Sequence, residues 1–182
     1  MLLSTARVLT LLVLSLALTG CGFQLRGTQA ATAMPEDWRK MHLVTGNPNS
    51  EFSREVQARF SANGIQWVDG SEADYVLKLG PERFSQRNLS LNAQARAAEF
   101  ELTMRGNFTV LSTEGDEVMP DTEASVFRQM ENDPRNVVGK AEEIQILKRE
   151  MRTELAQQIL RRIGFFAASG AASAPAGDAP SS

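Results

Sequence analysis

The residue of this sequence with the clearest chemical assignment is Cys21, the only thiol in 182 residues. It follows Leu18-Thr19-Gly20 at the end of an apolar run from Val8 to Leu18, with Arg7 and the amino terminus upstream. A charged start, an apolar middle and a small-residue cleavage site make up a secretory signal. The run falls short of the roughly 20 apolar residues that would span a bilayer. Leu-Thr-Gly set directly before Cys has the form of a bacterial lipobox. It predicts acylation of the Cys21 sulfur and a mature chain that begins there. An ordinary secreted protein with a free Cys21 is the competing reading. Each methylene buried in lipid contributes about 0.8 kcal/mol, so two or more acyl chains anchor a protein firmly. Gly22 and not Asp follows the cysteine. By the enteric sorting rule, that addresses the protein to the periplasmic leaflet of the outer membrane.

The remaining reactive side chains do not assemble into a catalytic motif. His42 is the single histidine, and no serine and acid stand beside it in a recognisable arrangement; it reads as structural or simply exposed. Glu142 and Glu143 are adjacent, but neighbours on a helix point different ways and do not form a carboxylate pair. With Cys21 acylated, neither a disulfide nor a thiolate metal site can form. No phosphate-cradling glycine loop and no metal-ligand spacing occur. The expectation is a protein that is not an enzyme and needs no cofactor. What remains is a set of cations near apolar strands: Arg83, Arg87, Arg96, Arg105, Arg128 and Lys140. Guanidinium offers a fork that fits a phosphate, and ammonium a point charge. Arg96 at the start of the alternating strand, Lys140 at the start of the long helix and Arg128 on the strand before it are the candidate ligand contacts.

These residues need elements to position them. Without Arg7 the mature chain carries 18 basic residues against 22 acidic, a balance that gives no reason to expect nucleic acid as a partner. Residues 1–20 read as signal, 21–36 as lipidated start and tether, 37–166 as one domain, and 167–182 as a disordered Ala/Gly/Ser/Pro tail. Lys40 to Thr45 reads as a strand. Phe52, Val56 and Phe60 recur at the spacing of an amphipathic helix, capped by Asn49 or Ser50 and stopped at Asn63-Gly64. Short strands follow at Ile65–Val68 and around Tyr75, Leu77 and Leu79, then a polar passage that is strand-like in part. Ala98, Phe100, Leu102, Met104, Gly106, Phe108 and Val110 alternate without interruption with polar residues, as a sheet with one buried face requires. A hairpin at Ser112–Asp116 leads to a strand from Val118 to Met130, with Pro120 marking an edge or bulge. Asn132-Asp133-Pro134 starts a helix that Gly164 should close. Its apolar face is Val137, Ala141, Ile144, Met151, Leu155, Ile159 and Ile163; Lys148, Arg152 and Glu154 fall on the polar one. Strand, helix, strands, helix is the order of an α+β sandwich, two helices on one face of a mostly antiparallel, mixed sheet.

Taken together, several segments resemble the LptE family of lipopolysaccharide-assembly lipoproteins. They are Cys21-Gly-Phe-Gln-Leu-Arg-Gly, His42-Leu-Val-Thr-Gly-Asn-Pro-Asn, Ala98-Glu-Phe-Glu-Leu-Thr-Met, Val126-Phe-Arg and Asn132-Asp-Pro, with Gln158-Ile-Leu-Arg-Arg-Ile ending the Lys140 helix. The resemblance implies a non-enzymatic accessory of a large outer-membrane β-barrel translocon, LptD-like, that helps the barrel assemble and binds lipopolysaccharide. It covers the mature chain to about Ile163. The residues alone leave open another lipid-anchored periplasmic binding module, an accessory of a different envelope-assembly machine, or an inhibitor of wall-degrading enzymes.

Overall fold

Period-two alternation at the middle of the chain produces the strand that everything else is built on. In the computed structural model, which describes residues 34–91, 97–131 and 137–173, that strand runs Ala97–Ser112 and is labelled β5. Before it come a short 3-10 turn at Glu36–Trp38, β1 (Lys40–Thr45), α1 (Glu51–Ser61), β2 (Gln66–Trp67), β3 (Tyr75–Leu79) and β4 (Arg83–Leu91). After it come β6 (Glu117–Glu131) and α2 (Val137–Ser173).

β5 is longer than β3 or β4, and the two share one of its edges. β3 pairs antiparallel with the second half, Tyr75 opposite Ser112 through Leu79 opposite Phe108. β4 takes the first half, from Arg83 opposite Arg105 to Leu91 opposite Ala97. Gly80, Pro81 and Glu82 join them, with the Gly80 N–H donating to the Asn107 carbonyl at 2.8 Å. β6 lies along the other edge. β1 is parallel to both β2 and β3, so the sheet is mixed. The Pro120 bulge is present: the register slips between Thr122 opposite Phe108 and Met119 opposite Val110. Since side chains alternate with period two, the slip changes which parity faces inward. Met119 is buried before it, and Ala124, Val126 and Met130 after it. Gly115, at φ +94°, supplies the left-handed turn of the hairpin.

Both helices cover one face. On α1 the Ser50 hydroxyl accepts from the Ser53 N–H at 3.0 Å, and Phe52, Val56 and Phe60 are buried. They meet α2 over Gly106. A Cβ there would lie 3.1 Å from the Phe52 ring and 3.4 Å from Leu155, so the absent side chain is what admits both helices. Met151, Leu155, Ile159, Leu160 and Ile163 complete the helical side of the core.

Three expectations for α2 need correction. Arg152, assigned to the polar face, is buried, with its guanidinium donating to Glu82 at 2.6 and 2.7 Å and lying 2.7 Å from Glu51. Its partners come from the α1 start and the β3–β4 connection, 101 and 70 positions away, distances that helical periodicity does not register. Ala141, assigned to the apolar face, is exposed, because the core begins further along the helix. Gly164 does not close the helix, which continues to Ser173 with Ala167 buried and the Phe166 ring edge-on to Trp38 at 6.1 Å. The tail expected from 167 therefore starts no earlier than 174. Glycine inside a helix costs only about 1 kcal/mol relative to alanine, and the contacts beyond it offset that. Pro134 and its cap lie outside the described residues.

Truncating a buried leucine to alanine costs about 2–5 kcal/mol. Leu155→Ala should lower the denaturation midpoint accordingly and the exposed Glu150→Ala should leave it in place, as read by chemical unfolding. A chain ending at Ile163 should melt several degrees below one ending at Ser173, at roughly 2–4 °C per kcal/mol for a protein of this size. Equal melting would place residues 164–173 off the fold.

Candidate functional site

The two halves of α2 do different things. From Met151 onward its inner residues enter the core, whereas residues 139–150 are exposed or half-buried throughout. In that outer half two lysines lean back over the sheet. Lys140 Nζ sits 4.1 Å from the centroid of the Phe100 ring, and Lys148 Nζ 4.3 Å from that of Phe84. Phe100 is near the start of β5, and Phe84, at the start of β4, stands opposite Met104 in the middle of β5, so both rings belong to the helix-covered face. Ile144 and Leu147 lie between the lysines and pack on the edge of the core. A ring face attracts a cation without cancelling its charge, at about 0.5–1 kcal/mol for exposed pairs. Among the described residues Lys148 has no carboxylate within salt-bridge distance. The result is two ammonium groups held beside apolar surface.

Of the cations singled out from sequence, Lys140 is thus at the sheet end. Arg96 and Cys21 lie outside the described residues. Arg128 goes elsewhere: it pairs with Glu154 of α2 and donates to the Phe127 carbonyl at 2.9 Å. Glu154, which holds the Arg128 guanidinium, is about four turns along the helix from Lys140. Arg87 is also committed, to Glu101 through two contacts of 2.6 and 3.1 Å. Its hydrogen bonds hold the Glu101 carboxyl below the ordinary value. Lys148 was missed by sequence reasoning, which placed it on the wetted face. At about 100° per residue, Lys140, Ile144, Leu147 and Lys148 share an arc of about 100°, and that arc was the available signal.

Elsewhere the polar groups are structural. His42 Nδ1 donates to the Val68 carbonyl at 2.9 Å, tying β1 to the segment after β2. A recess of about 270 Å³ at the start of α1 is lined by Thr45, Ser50, Ser53 and Glu82. Its hydroxyls are spent locally, Ser50 donating to Ser53 and Ser53 to the Asn47 carbonyl. Glu82 is engaged by Arg152, whose guanidinium these Glu82 hydrogen bonds hold more firmly protonated than an ordinary arginine despite its burial. Among the described residues no group of three acidic, histidine or cysteine ligands could hold a metal ion.

Comparison with known proteins agrees with this picture. A family model described as LptE, lipopolysaccharide-assembly, matches residues 38–163. The LPS-assembly lipoprotein LptE of Photorhabdus laumondii is 31% identical over 160 residues, covering 86% of this chain and 85% of that protein. Its counterpart in Yersinia pestis is 31% identical over 161 residues, covering 86% and 75%. Among solved structures, rare lipoprotein B from Shewanella oneidensis superposes with a TM-score of 0.62 at 27% identity, covering 73% of this chain and 96% of that one. A lipoprotein B from Nitrosomonas europaea, at 21% identity and TM-score 0.67 over 84% and 97% of the two chains, shares the fold.

Proposed function

This chain belongs to the LptE family, whose role is lipopolysaccharide assembly and not catalysis, and from that premise we propose that it is an outer-membrane lipoprotein that binds lipopolysaccharide and an LptD-like barrel translocon. The signal 1–20 is removed, Cys21 carries the acyl anchor in the periplasmic leaflet, and the tether, expected over 21–36, ends before Met34, which is already buried in the core. The lipobox and Gly22 support the anchor and the address.

The observation that carries the ligand reading is the pair of lysines over Phe100 and Phe84. Lipopolysaccharide presents phosphates on a broad apolar body. A surface that binds it needs cations next to apolar side chains that acyl chains can cover. Lys140 and Lys148 supply the first, and the half-buried Ile144, Leu147 and Phe84 the second. Arg96 immediately precedes β5, the strand that carries Phe100, and adds a third cation to this proposal.

Lys140→Asp and Lys148→Asp should each weaken lipopolysaccharide binding about tenfold, equivalent to about 1.4 kcal/mol, with the melting temperature nearly unchanged. Wild-type binding should fall as salt rises. Wild-type affinity in both variants would remove the site. For the partner, capture from detergent-solubilised outer membrane should recover a large barrel in stoichiometric amount; its absence counts against the translocon reading. Cys21→Ser should remain unprocessed at that position, and normal cleavage and localisation of the variant would contradict the anchor.

A further inference from the structure

β6 is an outer strand of 15 residues, and among the described residues no strand pairs with its far edge. Which of its backbone groups face that edge follows from β5. The Asn107 carbonyl accepts from the Gly80 N–H, so the backbone groups of Asn107 point toward β3 and β4. Asn107 stands opposite Glu123 in the antiparallel β5–β6 pair. In such a pair, a residue whose opposite number turns out of the ladder turns out as well. Glu123 therefore directs its N–H and C=O to the open edge. The same holds for every second residue beyond the Pro120 bulge: Ser125, Phe127 and Gln129.

A long open edge is a template for strand addition, and proteins blunt it with proline, bulges and charged side chains. Here the blunting runs along the strand. Pro120 has no N–H to offer, and its carbonyl accepts from the Thr122 hydroxyl at 2.7 Å. The Glu123 carbonyl accepts from Arg162 Nη1 at 2.8 Å, and the Phe127 carbonyl from Arg128 Nη1 at 2.9 Å. Arg162 belongs to α2, and Arg128 is tied to it through Glu154. The other outer strands need less. β2 has only two residues, and β4 carries two register irregularities near its end.

The two capped carbonyls flank Ser125 in the uncharged run Ala124-Ser125-Val126-Phe127, where Phe127 is 53% exposed. Valine and phenylalanine favour strands, and such a run on an open edge invites pairing. A second copy of this chain offers the same edge. In an antiparallel register centred on Ser125, Phe127 of each copy would face Glu123 of the other. Those residues would exchange N–H to C=O bonds, and the carbonyls required are the two that the arginines hold.

We propose that Arg128 and Arg162 guard the β6 edge: by occupying the Phe127 and Glu123 carbonyls, they keep β6 of one copy from pairing with β6 of another. This guard acts on self-association of the chain and is independent of the lysine surface.

Light scattering of the full chain in dodecyl maltoside, over a dilution series, gives the protein mass per particle, and amide hydrogen exchange reads the edge itself. Wild type should hold one chain per particle, with the Glu123, Ser125 and Phe127 amides in fast exchange. R128A/R162A should approach twice that mass as concentration rises, with exchange slowed at those three amides. Adding S125P should restore the single-chain mass, because proline there removes an outward N–H without breaking a bond to β5. E154Q, which removes the ion pair and leaves both arginines, should stay monomeric. If R128A/R162A does not fold, R162A, which keeps the Arg128–Glu154 pair, carries the same test. A folded guard variant that stays monomeric overturns the proposal, as does a wild type that already dimerises through β6. Dimers that survive S125P, or that leave the three amides in fast exchange, place the contact elsewhere and overturn it too. E154Q dimerising as readily as the guard variant overturns it in favour of a loosened α2.

Discussion

Two helices can reach the middle of this sheet only because Gly106 has no side chain. Phe52 of α1 and Leu155 of α2 both come within about the closest ordinary carbon contact of where a Cβ would stand. Interiors are packed to crystal-like density, so a methyl group is felt there. Around that point the rest follows. β5 must be long enough to carry β3 and β4 on one edge and β6 on the other, and α1 must start close enough to α2 for Arg152 to reach both Glu51 and Glu82. The guanidinium then joins three segments that are distant in sequence. Removing one member would strand a charge at a mostly buried position, which is costly, although the assembled cluster is not itself strong evidence of net stabilisation.

The same packing divides α2 into a docked half and an outer half. The docked half fixes the direction of the helix through Met151, Leu155, Ile159 and Ile163. The outer half then lies over the first half of β5 and the neighbouring β4 with little to bury, and its lysines rest on Phe100 and Phe84. Rigid support behind a surface of cations and half-covered apolar residues is a reasonable design for holding an amphiphile whose own conformation is loose. It also explains why a non-catalytic reading fits: the hydroxyl, carboxylate and imidazole groups of the core side are spent on capping and tying segments together.

Much of the fold was legible in the sequence because it is written in local periodicity. The alternation from Ala98 to Val110 became β5, the Phe52, Val56, Phe60 spacing became α1, and Pro120 became a bulge. What escaped was set by tertiary partners. Arg152 looks like any charged residue of a helix until Glu51 and Glu82 are brought to it. Gly164 looks like a stop until Phe166 finds Trp38 and Ala167 is buried. Lys148 looks solvated until the Phe84 ring is placed beneath it. The cation set itself was visible, but its sorting was not: Arg128, Arg87 and Arg105 are each matched by a glutamate, and Arg83 stands opposite Arg105. Strand register decides that sorting, and single-sequence periodicity does not fix register between distant strands.

The central claim is that the outer half of α2, over the end of the sheet, is where lipopolysaccharide touches this protein. A photoreactive benzoylphenylalanine at Leu147, between the lysines, tests it directly in growing cells, with the same group at Glu142 on the exposed side as comparison. The account predicts an adduct carrying lipopolysaccharide from position 147 and little or none from position 142. Equal adducts from both positions, or none from 147, would contradict it.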